Sequence, residues 1–179
     1  MRNILLLLVG LGLVFAATSH AAKPMRFHAQ LSGFNAAGAP VDTAATGHAM
    51  VEVIDDGTAL EFKVTVAGID NLLMAHIHVA PNPVMLTDPA GPVAFWFTGG
   101  PPPGSVVSET VNGRLAQGYI ITDGQVVSSD FLDGTVQGLI AAIAEGRASV
   151  IVHTDDLDPN TPSGRAGDSR AGELRGTLE

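Results

Sequence analysis

The chain has 179 residues, no cysteine and a formal net charge of −9. This acidity disfavours partners that are themselves anionic, namely nucleic acids and acidic lipid surfaces. The lack of cysteine excludes a disulfide framework, a thiolate metal site and a cysteine nucleophile. Histidine, carboxylate and hydroxyl groups therefore supply the chemistry available to the chain.

The first residues have the pattern of a secretory signal peptide. Arg2 precedes an apolar run over residues 4–17 and a short stretch of small residues that ends in Ala21 and Ala22. This run is shorter than the roughly 20 residues that span a bilayer. We therefore expect a signal peptide at residues 1–21, one domain at residues 22–179, and an exported, periplasmic or extracellular protein without membrane insertion after cleavage. Removal of Arg2 changes the net charge from −9 to −10.

Alternation of polar and apolar residues predicts about eight strands in the remaining chain. Glycine- and proline-rich turns separate them, as in an antiparallel β-sandwich. Asp55, Asp56 and Gly57 form a turn signal between two of the strands, which we expect to pair as a hairpin. The predicted strands are residues 26–31, 50–54, 60–66, 72–80, 92–97, 114–121, 148–153 and 173–178.

One segment, residues 133–146, has a helical period instead. Its apolar residues Val136, Leu139, Ile140 and Ile143 follow the i, i+3, i+4, i+7 spacing of an amphipathic helix. Asp133 is placed to cap the start of this helix, and Gly146 to end it. The sequence thus predicts an all-β fold with one short helix.

Two histidines one residue apart are the strongest candidate for a functional site. His76 and His78 lie in a predicted strand and therefore share one face of it. If the strand that ends in His153 pairs with this strand, three imidazoles converge, and three histidines suit copper or zinc.

A structural interpretation of these histidines competes with the metal site, and the sequence favours it. Ala75, Ile77 and Val79 supply the obvious core face of the same strand. His76 and His78 then face solvent or a polar seam, where they hydrogen-bond neighbours on another strand, such as Thr154.

The polar segment at residues 155–171 is a second candidate. Its aspartates offer oxygen ligands to a hard cation such as calcium. Asp156, Asp158 and Asn160 match only the opening of an EF-hand loop, because Thr161 replaces the required glycine and Gly167 replaces the required glutamate. The sequence favours a solvated acidic loop over a calcium site.

Two further features have alternative interpretations. Glu173 and Arg175 point the same way on a strand and either bind a carboxylate ligand or close an internal salt bridge, and we favour a structural role. Either Phe95 and Phe97 or Trp96 faces the core, which leaves the other side as a contact surface. No Gly-x-Ser-x-Gly motif or phosphate-binding loop occurs, so hydrolytic catalysis finds no support.

Five sequence blocks together resemble the CHRD domain, which is widespread in exported bacterial proteins. The resemblance implies an immunoglobulin-like β-sandwich with no established enzymatic activity, and it includes Thr154, Glu173 and Arg175 as structural motif residues. The blocks are Ala-Gln-Leu-Ser-Gly at residues 29–33, Pro-Val-Asp-Thr-Ala-Ala-Thr-Gly-His-Ala at 40–49, Ala-His-Ile-His at 75–78, Gly-Arg-Ala-Ser-Val-Ile-Val-His-Thr at 146–154 and Gly-Glu-Leu-Arg-Gly at 172–176.

The chain departs from the usual pattern of this family in two places. Ala37-Gly38-Ala39 stands where a glutamate usually precedes the prolines, and residues 155–171 separate two motifs that are normally close together. We interpret the second departure as a local loop extension. His28 lies outside these blocks, and His48, although it stands within the second block, is not itself a residue of the family pattern. We interpret both as incidental surface residues or as an addition particular to this chain.

The same histidines invite comparison with copper-zinc superoxide dismutases, which share the sandwich architecture. Such enzymes need a second metal, a bridging histidine and a disulfide, so only a reduced, single-copper form is compatible with this sequence. Asp155, Asp156 and Asp168 are the carboxylates that such a site would use.

We therefore expect an exported, non-catalytic binding or structural module whose partner is a protein or a small ligand. The alternative is a copper- or zinc-binding protein that uses His76, His78 and His153. A redox enzyme built on that metal is the third interpretation.

Overall fold

The structure is a computed structural model that describes residues 25–101, 105–160 and 163–179. The strands are β1 (Arg26–Leu31), β2 (Thr46–Ile54), β3 (Ala59–Ile69), β4 (Leu72–Val79), β5 (Val93–Thr98), β6 (Val111–Ile120), β7 (Ala148–Thr154) and β8 (Leu174–Thr177). They form two four-stranded antiparallel sheets, in the orders β1-β2-β3-β6 and β5-β4-β7-β8, which confirm the predicted β-sandwich. Among the described residues, the one α-helix is α1 (Val136–Ala144).

The predicted signal peptide lies outside the described residues. Within the described part of the chain, no helix is long and apolar enough to cross a membrane.

The first sheet follows the period-two pattern that its sequence predicts. In β1, buried Phe27, Ala29 and Leu31 alternate with exposed residues. The predicted hairpin is also confirmed, because β2 pairs with β3 throughout, from Thr46 opposite Ala67 to Ile54 opposite Ala59. The polar sides of β1 and β2 are thus left on the outer face of this sheet.

Main-chain hydrogen bonds join the two sheets along one side of the sandwich. Ser32 and Arg175 exchange a pair of these bonds, and His28 and Glu179 exchange another. The end of the chain is therefore fixed against β1, and both edges along this side of the sandwich are paired, which removes two unprotected strand edges.

The helix forms where the apolar spacing predicts it, but its cap differs from the prediction. Thr135 is the N-cap residue, and its side chain accepts a hydrogen bond from the backbone N–H of Gly138. Asp133 instead accepts hydrogen bonds from the backbone and hydroxyl of Thr135, so it supports the cap from one turn earlier. Val136, Leu139 and Ile143 are buried, and α1 lies against β3.

The second sheet is buried on both faces. Every residue of β7 is buried, so both faces of this strand are covered and the core between the sheets accounts for only one of them. Ala75, Ile77, Val150 and Val152 face the core between the sheets, as predicted for Ala75 and Ile77. The opposite, outer face lies under two loops, which we call the proline loop (residues 80–92) and the acidic loop (residues 155–160 and 163–171). A second, smaller buried layer between these loops and the sheet contains the candidate site.

Candidate metal centre

The pairing of β4 with β7 brings the three predicted histidines together. His153 lies opposite Met74, and His76 lies opposite Ile151, so His76 and His153 are diagonal neighbours on the outer face of the second sheet. The ring centroids are 4.4 Å apart for His76 and His153, 4.6 Å for His76 and His78, and 6.2 Å for His78 and His153. The predicted strand pairing and convergence are confirmed.

These histidines do not face solvent, which is one of the two surroundings that the sequence predicts for them. His76, His78 and His153 are only 2%, 7% and 4% exposed. Thr154 gives its hydroxyl hydrogen to Glu173 and not to a histidine. The proline and acidic loops cover this face. The alternation of residues along a strand cannot predict whether a loop covers its outer face.

Two of the three rings are held by backbone carbonyl groups. His78 Nδ1 lies 2.7 Å from the Gly91 carbonyl oxygen, and His153 Nδ1 lies 2.8 Å from that of Arg170. A carbonyl oxygen only accepts, so each Nδ1 carries the hydrogen in the neutral ring and each Nε2 keeps a free lone pair. The same Nδ1 anchoring fixes the ring orientation of histidines that bind metals in proteins.

Each ring presents one buried nitrogen without a hydrogen-bond partner. These atoms are His76 Nδ1, His78 Nε2 and His153 Nε2. The three histidines can also offer one ligand nitrogen each, all within 4.8 Å of one another. Buried polar atoms in folded proteins are normally satisfied, so three such atoms in one cluster require an explanation.

Burial keeps these rings neutral. It lowers the pKa of His76 to about 2, with further lowering by His153 and His78. It lowers the pKa of His153 to about 4, against a smaller opposing effect of the hydrogen bond to Arg170. The pKa of His78 is also lowered, first by burial. Neutral imidazoles are the form that binds metal ions, and no proton has to leave them near neutral pH.

Trp96 covers one side of the cluster. It lies opposite His76 across β4 and β5, and the two rings meet edge to face with centroids 4.6 Å apart. Phe95 and Phe97 instead pack on Phe62, so the aromatic pair faces the core and Trp96 faces outward. This settles the alternative left open by the sequence and places the single tryptophan of the chain beside the histidines.

Glu173 fixes the acidic loop to the sheet. Its side chain is fully buried and accepts hydrogen bonds from the hydroxyls of Thr43 at 2.6 Å and Thr154 at 2.8 Å, and from the backbone N–H of Gly167 at 2.7 Å. The same loop supplies the Arg170 carbonyl that holds His153. Glu173 therefore supports one of the two ring anchors.

Arg175 fixes the proline loop in a similar way. Its fully buried guanidinium donates hydrogen bonds to the backbone carbonyls of Met85, Leu86 and Asp88. This loop supplies the Gly91 carbonyl that holds His78. Glu173 and Arg175 thus bind different loops. These contacts form neither a salt bridge between the two residues nor a site for a carboxylate ligand, the two alternatives that the sequence suggests.

Two arginines pair with carboxylates of the acidic loop. Asp155, Asp156 and Asp168 lie close enough to share a cation. Arg170 pairs with Asp155 at 2.6 Å, however, and Arg165 pairs with Asp156 at 3.0 Å. These pairs compensate part of the negative charge that would attract a calcium ion.

His28 and His48 lie on the outer face of the first sheet, across the sandwich from the triad. They cannot complete a second metal centre beside His76, His78 and His153. The structure therefore does not bring together the ligands that a two-metal superoxide dismutase needs.

Sequence comparison identifies the family. The sequence model of the CHRD domain matches residues 27–163, more than half of the chain, so the chain belongs to the CHRD domain family. The match includes His76, His78 and His153 and ends before the Gly-Glu-Leu-Arg-Gly motif. CHRD domains are generally non-enzymatic, which supports a binding or structural module. No curated protein matches the sequence.

Proposed function

We propose that this chain is an exported, non-catalytic binding module whose ligand is a single copper ion, held by His76, His78 and His153. One observation carries the proposal: three histidines, each with a buried ring nitrogen that lacks a partner, can offer one ligand nitrogen each within 4.8 Å of one another. An unsatisfied buried polar group lowers the folding stability by about 1–3 kcal/mol, so three of them would destabilise a cluster that had only a structural role. A bound metal ion satisfies all three lone pairs at once.

The spacing of the rings favours copper over zinc. Tetrahedral coordination with metal–nitrogen bonds of about 2.0–2.1 Å puts each pair of imidazole centroids roughly 5.2 Å apart. The triad has spacings of 4.4, 4.6 and 6.2 Å instead. If each ring nitrogen points at the ion with the same bond length, these spacings correspond to two angles of about 90° and one of about 150°, a T-shaped set that suits the tetragonal coordination of Cu(II).

The burial of the site favours binding of a metal ion over catalysis by it. A catalytic metal site keeps an open coordination position for water or substrate. Here the proline and acidic loops lie over the rings, and none of the three is more than 7% exposed. Copper would enter by local opening of these loops, which is compatible with a slow, tight binding site.

Asparagine variants separate the metal-binding role from the structural role. In His78→Asn and His153→Asn, the amide nitrogen replaces Nδ1 and keeps a donor for the Gly91 or Arg170 carbonyl, while the Nε2 ligand atom is removed. All titrations use the His28→Gln/His48→Gln background, which removes the two exposed histidines of the other sheet, and this double variant with its triad intact is the matched control.

The assay is titration of metal-free protein with Cu(II), followed by Trp96 fluorescence and by copper analysis after desalting. We expect quenching that saturates at one ion per chain in the control, and at least a hundredfold weaker binding when either triad substitution is added to it. Folding is checked by circular dichroism. Control protein that retains no copper, or folded triad variants that bind as tightly as the control, would contradict the proposal.

Export is tested separately. Expression of the full chain in a Gram-negative host, followed by cell fractionation and mass spectrometry, should give a periplasmic or extracellular protein that begins at Ala22. Full-length protein confined to the cytoplasm would contradict this part of the proposal.

A further inference from the structure

We propose a second metal site on the outer face of the first sheet, formed by His28, His48 and Met50 and suited to cuprous copper. This site goes beyond the proposed function, because it lies on the opposite side of the sandwich and shares no residue with the triad.

The pairing of β1 with β2 places the three side chains together. His28 lies directly opposite Met50, and His48 lies opposite Gln30, two residues along the same strand from Met50. Directly opposite residues of an antiparallel pair point to the same face, as do residues two apart on one strand. Both histidines are exposed and Met50 is half-buried, so an ion reaches them from solvent.

The distance between the two rings fits a shared ion. Their centroids are 5.3 Å apart, and the ring planes are inclined at 34°. Two imidazoles bound to one metal at a tetrahedral angle have centroids roughly 5.2 Å apart, for metal–nitrogen bonds of about 2.0–2.1 Å. The spacing of these two rings is therefore that of two imidazoles on one tetrahedral ion, whereas the triad spacings suit a different geometry.

The backbone beneath the pair is held on both sides. Strand β2 pairs with β1 on one side of His28, and Glu179 exchanges two backbone hydrogen bonds with His28 on the other. The His48 carbonyl accepts a hydrogen bond from the Thr65 hydroxyl. Ligands on such a fixed frame lose less conformational entropy on binding than ligands on a flexible loop.

The third ligand and the nearby charges favour a monovalent, soft ion. The Met50 thioether is a soft donor of the kind that selects Cu(I). Lys63 lies opposite Met50 on β3, and Glu61 lies on the same face of that strand, so these two opposite charges give no excess negative charge to attract a divalent ion. At the end of this face, Arg26 and Glu52 pair with each other at 2.8 Å, so Glu52 is engaged.

The test uses a background in which the triad is disabled, His78→Asn/His153→Asn, so that the surface site is measured alone and a failure of the triad proposal does not affect the result. The probe is Cu(I) under anaerobic conditions, competed against a colorimetric Cu(I) chelator, with Zn²⁺ as the comparison ion. We expect one Cu(I) per chain, with micromolar or tighter affinity.

Three surface variants in this background carry the test. We expect His28→Gln and His48→Gln each to weaken Cu(I) binding about tenfold or more, a loss of about 1.4 kcal/mol or more. Met50→Leu should weaken Cu(I) binding by a similar factor while changing Zn²⁺ binding much less. No Cu(I) bound at ~100 µM, or binding unchanged in both histidine variants, would overturn the site, and equal losses of Cu(I) and Zn²⁺ in Met50→Leu would overturn the role of the thioether.

Discussion

The burial of the triad predicts how the stability of the metal-free protein depends on pH. The folded-state pKa is about 2 for His76 and about 4 for His153, whereas a histidine in the unfolded chain has its ordinary value of 6.5. Below pH 6.5 the unfolded chain therefore binds protons that the folded protein does not. Folding stability is fully present above pH 6.5 and is lost as the pH falls, with a slope of about 1.4 kcal/mol per pH unit for each histidine.

The loss is large enough to measure. At pH 4.5, two units below the unfolded-state value, each of these histidines costs nearly ~3 kcal/mol relative to neutral pH. The two contributions together reach about 5 kcal/mol. This is a large share of the 5–15 kcal/mol, roughly, that stabilises an ordinary domain.

The assay is urea unfolding of chelator-treated protein at several pH values between 7 and 4.5, for the wild type and for His76→Phe. The variant lacks one titrating group but keeps an aromatic ring beside Trp96. Carboxylates such as Asp133, whose pKa is lowered, destabilise both proteins equally in acid. We expect the wild type to lose nearly ~3 kcal/mol more than the variant over this range. Parallel curves would refute the neutral, buried state of His76.

Three further predictions concern the residues that hold the loops. Glu173→Gln should destabilise the fold by about 3 kcal/mol, because a neutral amide cannot accept all three buried hydrogen bonds, as measured by urea unfolding. Arg175→Lys should cost about 2 kcal/mol in the same assay, because an ammonium group cannot reach the same spread of carbonyls, and a change below ~0.5 kcal/mol would contradict this. Gly91→Ala should weaken copper binding about tenfold or more by moving the carbonyl that holds His78, since Gly91 has a φ of +81° and an added Cβ would lie 2.2 Å from the Val79 oxygen. Copper affinity equal to wild type in Gly91→Ala would show that this anchor does not matter.

The sequence predicts the sandwich well because its strands obey a simple physical rule. Where one face of a strand meets the core and the other meets solvent, as in β1, burial alternates with period two and the pattern is visible in the sequence. The helix is visible for the same reason, through its 3.6-residue period. Its cap was misplaced because Asp133 and Thr135 are both good capping residues only two positions apart.

The candidate site was predicted in its membership but not in its environment. The alternation of β4 places His76 and His78 on the face away from the core, and the pairing of β4 with β7 adds His153. Whether that face is wet or covered depends on the proline and acidic loops, which have no periodic signal. The ring anchors are backbone carbonyls of Gly91 and Arg170, and any residue type supplies a carbonyl.

The roles of the terminal motif were likewise hidden by distance along the chain. Glu173 and Arg175 are adjacent enough in sequence to suggest a pair. Their partners come instead from Thr43 and from the loops on either side, which only the folded sheet brings within reach. Contacts of this kind join residues far apart in the chain, and local patterns do not encode them.

X-ray absorption of the copper-loaded protein tests the central claim most directly. The sample is His28→Gln/His48→Gln, which removes the surface pair and leaves the buried triad intact. We expect one copper ion per chain, with three imidazole nitrogens at about 2.0 Å. Fewer than two imidazoles around the copper, or an unchanged spectrum after addition of His78→Asn and His153→Asn, would contradict a copper site at His76, His78 and His153.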